Sequence, residues 1–182
     1  ALFGETVWQH RQKNPALDDS FQRLTRGEQA RAVSGLTRAY DFSAYSTVMD
    51  VGGGHGQLLA GLLQAYPDMN GVLFDLPHVI AGAEPLLEKA GVLKRCRLVS
   101  GSFLETPPQP ADLYLLKHVL HNWNDDQCRT ILKHLGQVMR QGGKLLVLEN
   151  LLPEDDMEVD LPLAMLDLHM LAIPGGRERT EA

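Results

Sequence analysis

Two stretches of the sequence combine residue types that could do chemistry. The first is the glycine-rich run 50–56, which follows an apolar segment and precedes an amphipathic helix pattern that starts at about Gln57. A strand that ends in glycines and turns directly into a helix brings bare backbone close to a ligand. The first turn of that helix also offers unpaired N–H groups to the ligand. This run therefore predicts a cofactor site that includes Asp50.

The spacing of the glycines indicates the kind of cofactor. A dinucleotide fingerprint requires G-x-G-x-x-G. Here Gly52, Gly54 and Gly56 form G-x-G-x-G, and Gln57 stands where the third glycine of the fingerprint should be. Asp75 follows at the predicted end of the next strand, where a carboxylate can accept hydrogen bonds from ribose hydroxyls. The pattern favours an adenosine-containing cofactor, although the glycines could serve only the turn and Asp75 could cap a helix.

The second stretch, 117–125, comes where the fourth predicted strand meets its helix. In a parallel sheet the carboxyl end of that strand lies at the same edge as the glycine loop. His121 suits a general base there, because an unperturbed pKa of ~6.5 leaves imidazole mostly neutral at pH 7. Glu149 ends the fifth strand and Glu178 follows a Pro-Gly-Gly break, and both are expected to orient the ring and raise its basicity. The alternatives are a structural histidine and two surface acids.

A metal site at this stretch is not predicted. His118 and His121 could suggest a pair of ligands, but an odd offset along an extended segment directs side chains to opposite faces. No third ligand has a convincing spacing.

Strand patterns alternate with helix patterns, which predicts an α/β fold with a Rossmann-like, mostly parallel sheet and helices on both faces. The predicted strands are 47–51, 71–74, 95–100, 112–116 and 144–148. Helices are expected from Gln57, from Pro77, from Asn124, where Gln127 completes a capping box, and over 161–171. The helix after Asn124 is expected to bury Cys128, Ile131, Leu132, Leu135, Val138 and Met139.

Residues 1–46 are predicted to form a helical segment that leads into and covers the cofactor domain at 47–182. A helix starts at Asn14-Pro15, where asparagine can cap and proline fits the first turn. Gly27 is expected to interrupt it before a second helical stretch.

The composition is that of one globular domain. The 182 residues are 44% hydrophobic and carry a formal net charge of −6, so no nucleic-acid partner is expected. No apolar run reaches the ~20 residues of a membrane helix, and no leader is visible. Cys96 and Cys128 lack metal-binding spacing, which favours reduced thiols in a cytoplasmic protein. The abrupt ends at Ala1 and Ala182 suggest a fragment.

The motifs together resemble the plant-type small-molecule O-methyltransferases. That family includes caffeic acid and hydroxyindole (acetylserotonin) O-methyltransferases and many bacterial enzymes of aromatic natural-product pathways. The resemblance covers essentially 1–182 and rests on the runs 50–56, 74–77, 111–126, 142–149 and 175–180.

The resemblance implies S-adenosylmethionine as the cofactor, S-adenosylhomocysteine as the product and no metal. It assigns the base to His121 and the flanking acids to Glu149 and Glu178. Where the family usually has an acid after the third strand, this chain has the hydroxyl of Ser102. The cofactor contacts are expected at Asp50, Gly52, Gly54, Asp75, Leu76, Ser102, Phe103 and Lys117.

The implied reaction is methyl transfer to a hydroxyl of a small phenolic molecule. Candidate substrate contacts, each with core packing as the alternative, are Phe21, Leu24, Met165, His169 and Met170. The family also implies an absent N-terminal dimerisation domain, hence a homodimer of the full-length protein, and absent C-terminal strands. The alternatives are a same-fold hydroxylase or decarboxylase, a non-catalytic cofactor-binding module, and a nicotinamide dehydrogenase, which Gln57 disfavours.

Overall fold

Five parallel strands form the centre of the structure, a computed structural model that describes residues 4–105, 108–139, 141–154 and 160–181, without the side chains of 24–31. The strands are β1 (Thr47–Val51), β2 (Asn70–Asp75), β3 (Cys96–Ser100), β4 (Leu113–Lys117) and β5 (Lys144–Leu148). Their order in the sheet is β3-β2-β1-β4-β5, and each neighbouring pair is parallel. The carboxyl ends of all five strands therefore lie at one edge.

Helices connect the strands and precede them. They are α1 (Val7–Lys13), α2 (Pro15–Ala39), α3 (Gln57–Ala65), α4 (Pro77–Ile80), α5 (Glu84–Lys89), α6 (Asp125–Val138) and α7 (Leu161–Ala172). Two short 3-10 helices, Leu93–Arg95 and Leu120–Asn122, lie before β3 and after β4.

The three central strands, β1, β2 and β4, are buried on both faces because their residues alternate between two apolar clusters. Val48 on β1 packs with the buried leucines of α3 and with Leu87 of α5. The next residue, Met49, points to the opposite face and packs with Ile131 and Leu135 of α6. This two-sided burial is typical of parallel sheets, whose crossover helices cover both faces. The α/β class expected from the sequence is confirmed.

Several local predictions are confirmed by the structure. The first and fifth strands have the expected bounds, and β4 begins and ends one residue later than expected. Asn124 caps α6, and its side chain and that of Gln127 form the reciprocal capping box. Both cysteines are free thiols, with Cys128 buried and Cys96 partly so.

Three local predictions are wrong. Helix α2 continues through Gly27, since a helical glycine costs only about 1 kcal/mol, and the C-terminal part of α2 packs on α3, where Val33 lies against Gly61. Helix α2 begins at Pro15 with Asn14 at its N-cap position, as expected, but the Asn14 side chain donates to the carbonyl of His10 and makes no capping bond. Leu132 is 41% exposed because the inner face of α6 is filled by Ile131 and Leu135.

Among the residues that the structure describes, no helix combines the length and the apolar character needed to cross a membrane.

Candidate active site

The glycine run forms a tight loop over the carboxyl ends of β1 and β2. Gly52, Gly54 and Gly56 all have positive φ angles, of 74°, 61° and 80°, a region that side chains rarely adopt. The Gly52 N–H donates to the carbonyl of Phe74 at the end of β2, at 2.7 Å. Gly56 then occupies the N-cap position of α3. Bare backbone therefore lies beside the first turn of a helix.

Asp75 ties this loop to β2. Its Oδ2 atom accepts the Gly54 N–H at 2.8 Å, and its Oδ1 atom accepts the Leu76 N–H at 2.7 Å. Burial raises the pKa of the Asp75 carboxyl, and the two backbone donors act in the opposite direction. The carboxylate oxygens retain lone pairs beyond these two bonds, so Asp75 can still accept from a ligand hydroxyl.

Asp50 lies beneath the loop with an unused oxygen. The residue is 2% exposed, and its Oδ2 atom is buried without a hydrogen-bond partner among the described residues. Burial raises the pKa of the Asp50 carboxyl to about 7; the charge of Asp75 adds to this effect, and the Lys117 ammonium opposes it. A cationic ligand group at this oxygen would stabilise the charged carboxylate.

Three other expected cofactor contacts surround the loop. The Phe103 ring lies 3.4 Å from where a Cβ atom on Gly52 would stand, and its edge meets Trp123 at a centroid distance of 5.8 Å. The Lys117 Nζ atom, at the end of β4, is 3.2 Å from His118 Nδ1. Ser102 follows β3 and is half-buried. The expected contacts thus lie after strands β1 to β4, along one edge.

His121 lies in the 3-10 helix after β4, beside two carboxylates. Its ring is 8% exposed. The Nδ1 atom is 2.8 Å from Glu178 Oε1 and 3.6 Å from Glu149 Oε2. Because both acids approach Nδ1, Nε2 is the ring nitrogen that neither carboxylate engages. This is the arrangement that fixes the tautomer of a general base.

The two acids are held in different ways. Glu149 Oε1 accepts the N–H groups of Val119 and Leu120 at 2.9 and 2.8 Å, so Glu149 also fixes the start of the 3-10 helix. Burial raises the pKa of the Glu149 carboxyl, which the charge of His121 counteracts. Glu178 is 2% exposed, and its own N–H donates to Asp167 Oδ1 on α7 at 2.8 Å.

The same three side chains are the described group with metal-ligand spacing. The ligand atoms of His121, Glu149 and Glu178 lie within 4.8 Å of one another. A cation and a hydrogen-bonded imidazole would compete for these oxygens. His121 Nδ1 lies 2.8 Å from Glu178 Oε1, which is the distance of a charge-assisted hydrogen bond. The structure therefore has the hydrogen-bonded imidazole at these oxygens.

The expectation that His118 and His121 point to opposite faces is wrong. Their rings stack, with centroids 5.2 Å apart and an interplanar angle of 26°. The chain is not extended here, because His118 has a φ of 53° and the 3-10 helix follows it. Burial lowers the pKa of His118 to about 4, and the charge of Lys117 adds to this effect. His118 is therefore neutral at pH 7.

Among the residues that the structure describes, no contact joins the side chains that were expected to bind substrate. Phe21 is 40% exposed and lies under the Arg11 guanidinium. On α7, Met165 and His169 are exposed and Met170 is buried. The side chain of Leu24 lies outside the described residues.

Several neighbours of the site were given no role from the sequence, although one of them, Arg179, lies in the run 175–180. The Gln22 Oε1 atom is 3.0 Å from where a Cβ atom on Gly54 would stand, and Trp8 stacks on Trp123 at 5.9 Å. Asp167 and Arg179 hold the segment around Glu178 through backbone contacts. The Gly175-Gly176 pair was the feature of the sequence that indicated close packing here. In the structure, a Cβ atom on Gly176 would overlap the carbonyl oxygen of His121.

The fold and the site define a class of protein. A parallel α/β sheet with a glycine loop after β1 and an acid at the end of β2 is a nucleoside-cofactor domain, here with a histidine–carboxylate cluster at the same edge. Comparison with known proteins gives the family. The O-methyltransferase domain profile matches residues 1–182, and the chain belongs to that family.

This chain spans about half the length of the characterised relatives that it matches. A phenazine O-methyltransferase from Lysobacter antibioticus is 39% identical over 98% of this chain and 52% of its own. Aclacinomycin 10-hydroxylase from Streptomyces purpurascens is 36% identical over 98% of this chain and 48% of its own. An O-methyltransferase from neocarzinostatin biosynthesis, solved with S-adenosyl-L-homocysteine and 1,4-dihydroxy-2-naphthoic acid, has a TM-score of 0.88 at 32% identity, covering 98% of this chain and 53% of that one.

The raised pKa of Asp50 gives a test of the site's electrostatics. The folded-state pKa of about 7 lies above the reference value of 3.8, so between these values the folded state binds more protons than the unfolded state. The free energy of unfolding therefore falls as pH rises through this interval. Between pH 5 and pH 8, we expect the free energy of unfolding to fall by roughly 2–3 kcal/mol less in Asp50→Asn than in the natural protein. Urea denaturation at both pH values measures it, and identical pH dependence in the two proteins would contradict the assignment.

Proposed function

We propose that the full-length protein transfers a methyl group from S-adenosylmethionine to a hydroxyl of a small aromatic molecule. The observation that carries the proposal is the 2.8 Å contact from His121 Nδ1 to Glu178, with Glu149 at 3.6 Å, beside a glycine loop suited to a nucleoside cofactor. The activities of relatives, and the S-adenosyl-L-homocysteine bound to the neocarzinostatin enzyme, support the same reaction.

The residues around the glycine loop fit S-adenosylmethionine. The unpartnered Asp50 Oδ2 atom suits the ammonium group of the methionine part, and Asp75 suits the ribose hydroxyls. Gly52 and Gly54 allow close approach of the backbone, and Phe103 offers an apolar ring to the adenine. The other contacts proposed are Leu76, Ser102, whose hydroxyl replaces the usual acid, and Lys117.

The chemistry divides between the cofactor and this chain. When bound, S-adenosylmethionine supplies a methyl group already activated on a sulfonium. His121 accepts the proton of the acceptor hydroxyl at Nε2, which a phenol with a pKa of ~10 needs to lose before it is a good nucleophile. Glu178 and Glu149 hold Nδ1–H and stabilise the imidazolium that forms. A positioned base of this kind contributes about 10²–10⁴-fold in rate.

The proposed acceptor class is supported by the relatives. Hydroxylated phenazines and naphthoic acids are the proposed probes, because the relatives' names carry these ring systems. Phe21, Leu24, Met165, His169 and Met170 remain the proposed substrate contacts.

A same-fold hydroxylase is the second candidate. Aclacinomycin 10-hydroxylase is 36% identical to this chain, so the family fold alone does not distinguish the reactions. The complete His121–Glu149–Glu178 cluster favours methylation. Mass spectrometry separates the two outcomes, because methylation adds 14 mass units (about the mass of CH₂) to the acceptor and hydroxylation adds about 16.

We further propose that the full-length protein is a cytoplasmic homodimer. Exposed apolar residues on α7 support an interface, among them Leu161 at 74%, Leu171 at 63% and Leu168 at 57% exposure. Light scattering on the full-length protein tests the dimer, and the mass of a single copy would contradict it.

Replacing the base tests the proposed reaction. In His121→Ala of the full-length protein, we expect the turnover of hydroxyphenazine or hydroxynaphthoic acid to fall by about 10²–10⁴-fold, because the proton acceptor is lost. S-adenosylhomocysteine affinity, measured by calorimetry, is the control and should stay within about twofold. A loss of turnover below about tenfold with intact cofactor binding would show that His121 is not the base.

A pair of glycine variants tests the cofactor site. Gly54 and Gly91 both have positive φ angles, of 61° and 73°, but nothing lies near Gly91 in its surface turn. Alanine should strain both sites similarly, by about 1–2 kcal/mol. We expect Gly54→Ala to weaken S-adenosylhomocysteine binding by about tenfold or more and Gly91→Ala to leave it unchanged. Equal dissociation constants for the two variants would contradict the site.

A further inference from the structure

Arg179 follows Glu178 directly and makes an unusual number of bonds to one short segment. Its Nη1 atom donates to the carbonyl of Leu120 at 3.0 Å, and its Nη2 atom donates to the carbonyl of Trp123 at 2.9 Å. The same Nη2 atom reaches Asp125 Oδ1 at 2.9 Å. The side chain is 30% exposed, so these bonds are partly shielded from water.

The two carbonyls that Arg179 binds lie on either side of His121. They belong to the 3-10 helix and its C-cap, Trp123, and the Leu120 carbonyl also accepts the Trp123 N–H at 3.0 Å. The Cys128 Sγ atom reaches the same pair of carbonyls, at 3.3 Å for Leu120 and 3.6 Å for Trp123. One face of the segment that carries the base is therefore occupied by the Arg179 guanidinium.

The backbone of Arg179 is bonded to the chain that follows β5. Its carbonyl accepts the Leu152 N–H at 2.8 Å, in an isolated bridge beyond the end of β5. Gly176 packs against the His121 carbonyl so closely that no side chain fits there. The chain around Glu178 is thus attached both to the sheet edge and to the base segment.

The chemistry of guanidinium suits this double attachment. Its planar fork donates in fixed directions to several acceptors at once, whereas lysine offers a compact charge on a flexible stem. The bond to Asp125 is charge-assisted, and the Arg179 guanidinium holds the pKa of the Asp125 carboxyl below its usual range.

We propose that Arg179 is a positioning residue that sets the rate of proton removal by keeping Glu178 in contact with His121. It does not touch the imidazole itself. Its effect passes through the 2.8 Å bond from Glu178 Oε1 to His121 Nδ1. The proposal rests on the proposed function, in which His121 is the base.

Arg177 provides a matched control on the same segment. It also pairs with Asp125, through the Oδ2 atom. Its side chain is 58% exposed, and none of its described bonds reaches the Leu120 or Trp123 carbonyl. Loss of Arg177 therefore removes a cation from Asp125 without releasing the base segment.

The experiment is a double-mutant cycle in the full-length protein. Arg179→Met and Arg177→Met are made in the natural sequence and in Glu178→Gln, and methylation of the best hydroxyphenazine or hydroxynaphthoic acid is followed. We expect Arg179→Met to lower kcat by about 10–100-fold, with KM for S-adenosylmethionine within about twofold, since a misplaced base costs rate and leaves cofactor binding intact. Arg177→Met should change kcat less than about twofold.

The Glu178→Gln background separates positioning from general stabilisation. If Arg179 acts through Glu178, Arg179→Met should lower kcat by less than about threefold in the Glu178→Gln protein. Equal fold-losses in both backgrounds would overturn the proposal, as would an unchanged kcat in Arg179→Met alone. If Arg179→Met does not fold, as judged by circular dichroism, Arg179→Lys enters the same cycle with the same criteria. A negligible loss in His121→Ala would instead contradict the proposed function.

Discussion

The hydrogen bond between His121 Nδ1 and Glu178 Oε1 joins two segments 57 positions apart in the sequence. Its geometry depends on backbone packing, because Gly176 lies directly on the His121 carbonyl and leaves no room for a side chain. On the far side, Asp167 of α7 holds the Glu178 N–H. A buried carboxylate next to a buried imidazole is stable only when both are held at this distance. The proposed proton-accepting half of the site therefore depends on how the C-terminal segment packs on the end of β4.

The sheet brings the second half of the site to the same edge. Asp50 is a buried residue next to the end of β1, and Asp75 ends β2, which pairs with β1 in parallel register. On the other side, β1 pairs with β4, whose last residue, Lys117, is close enough for its charge to oppose the raised pKa of Asp50. Parallel pairing alone thus aligns the glycine loop, the acids and the base segment. A ligand that contacts both halves must lie across the ends of β2, β1 and β4.

Local patterns in the sequence predicted the sheet and the residues at its edge, because strand ends, glycine turns and the capping box at Asn124 are determined by neighbours in the chain. Predictions failed where contacts between distant elements decide the outcome. Helix α2 continues through Gly27 and then packs on α3 through Val33, and the left-handed backbone of His118 brings its ring onto that of His121. Arg179 lies in the run 175–180 that carries the family resemblance, but the sequence does not reveal that its partners are the carbonyls on either side of His121.

The tautomer of His121 tests the account most directly. In protein labelled with ¹⁵N-histidine, two-dimensional ring spectra assigned by comparison with His121→Ala report which nitrogen carries the proton. The account predicts a neutral imidazole protonated at Nδ1, with Nε2 unprotonated and ready to accept the substrate proton. It also predicts that this preference weakens in Glu178→Gln. A neutral ring protonated at Nε2 in the natural protein would contradict the assignment of His121 as the base.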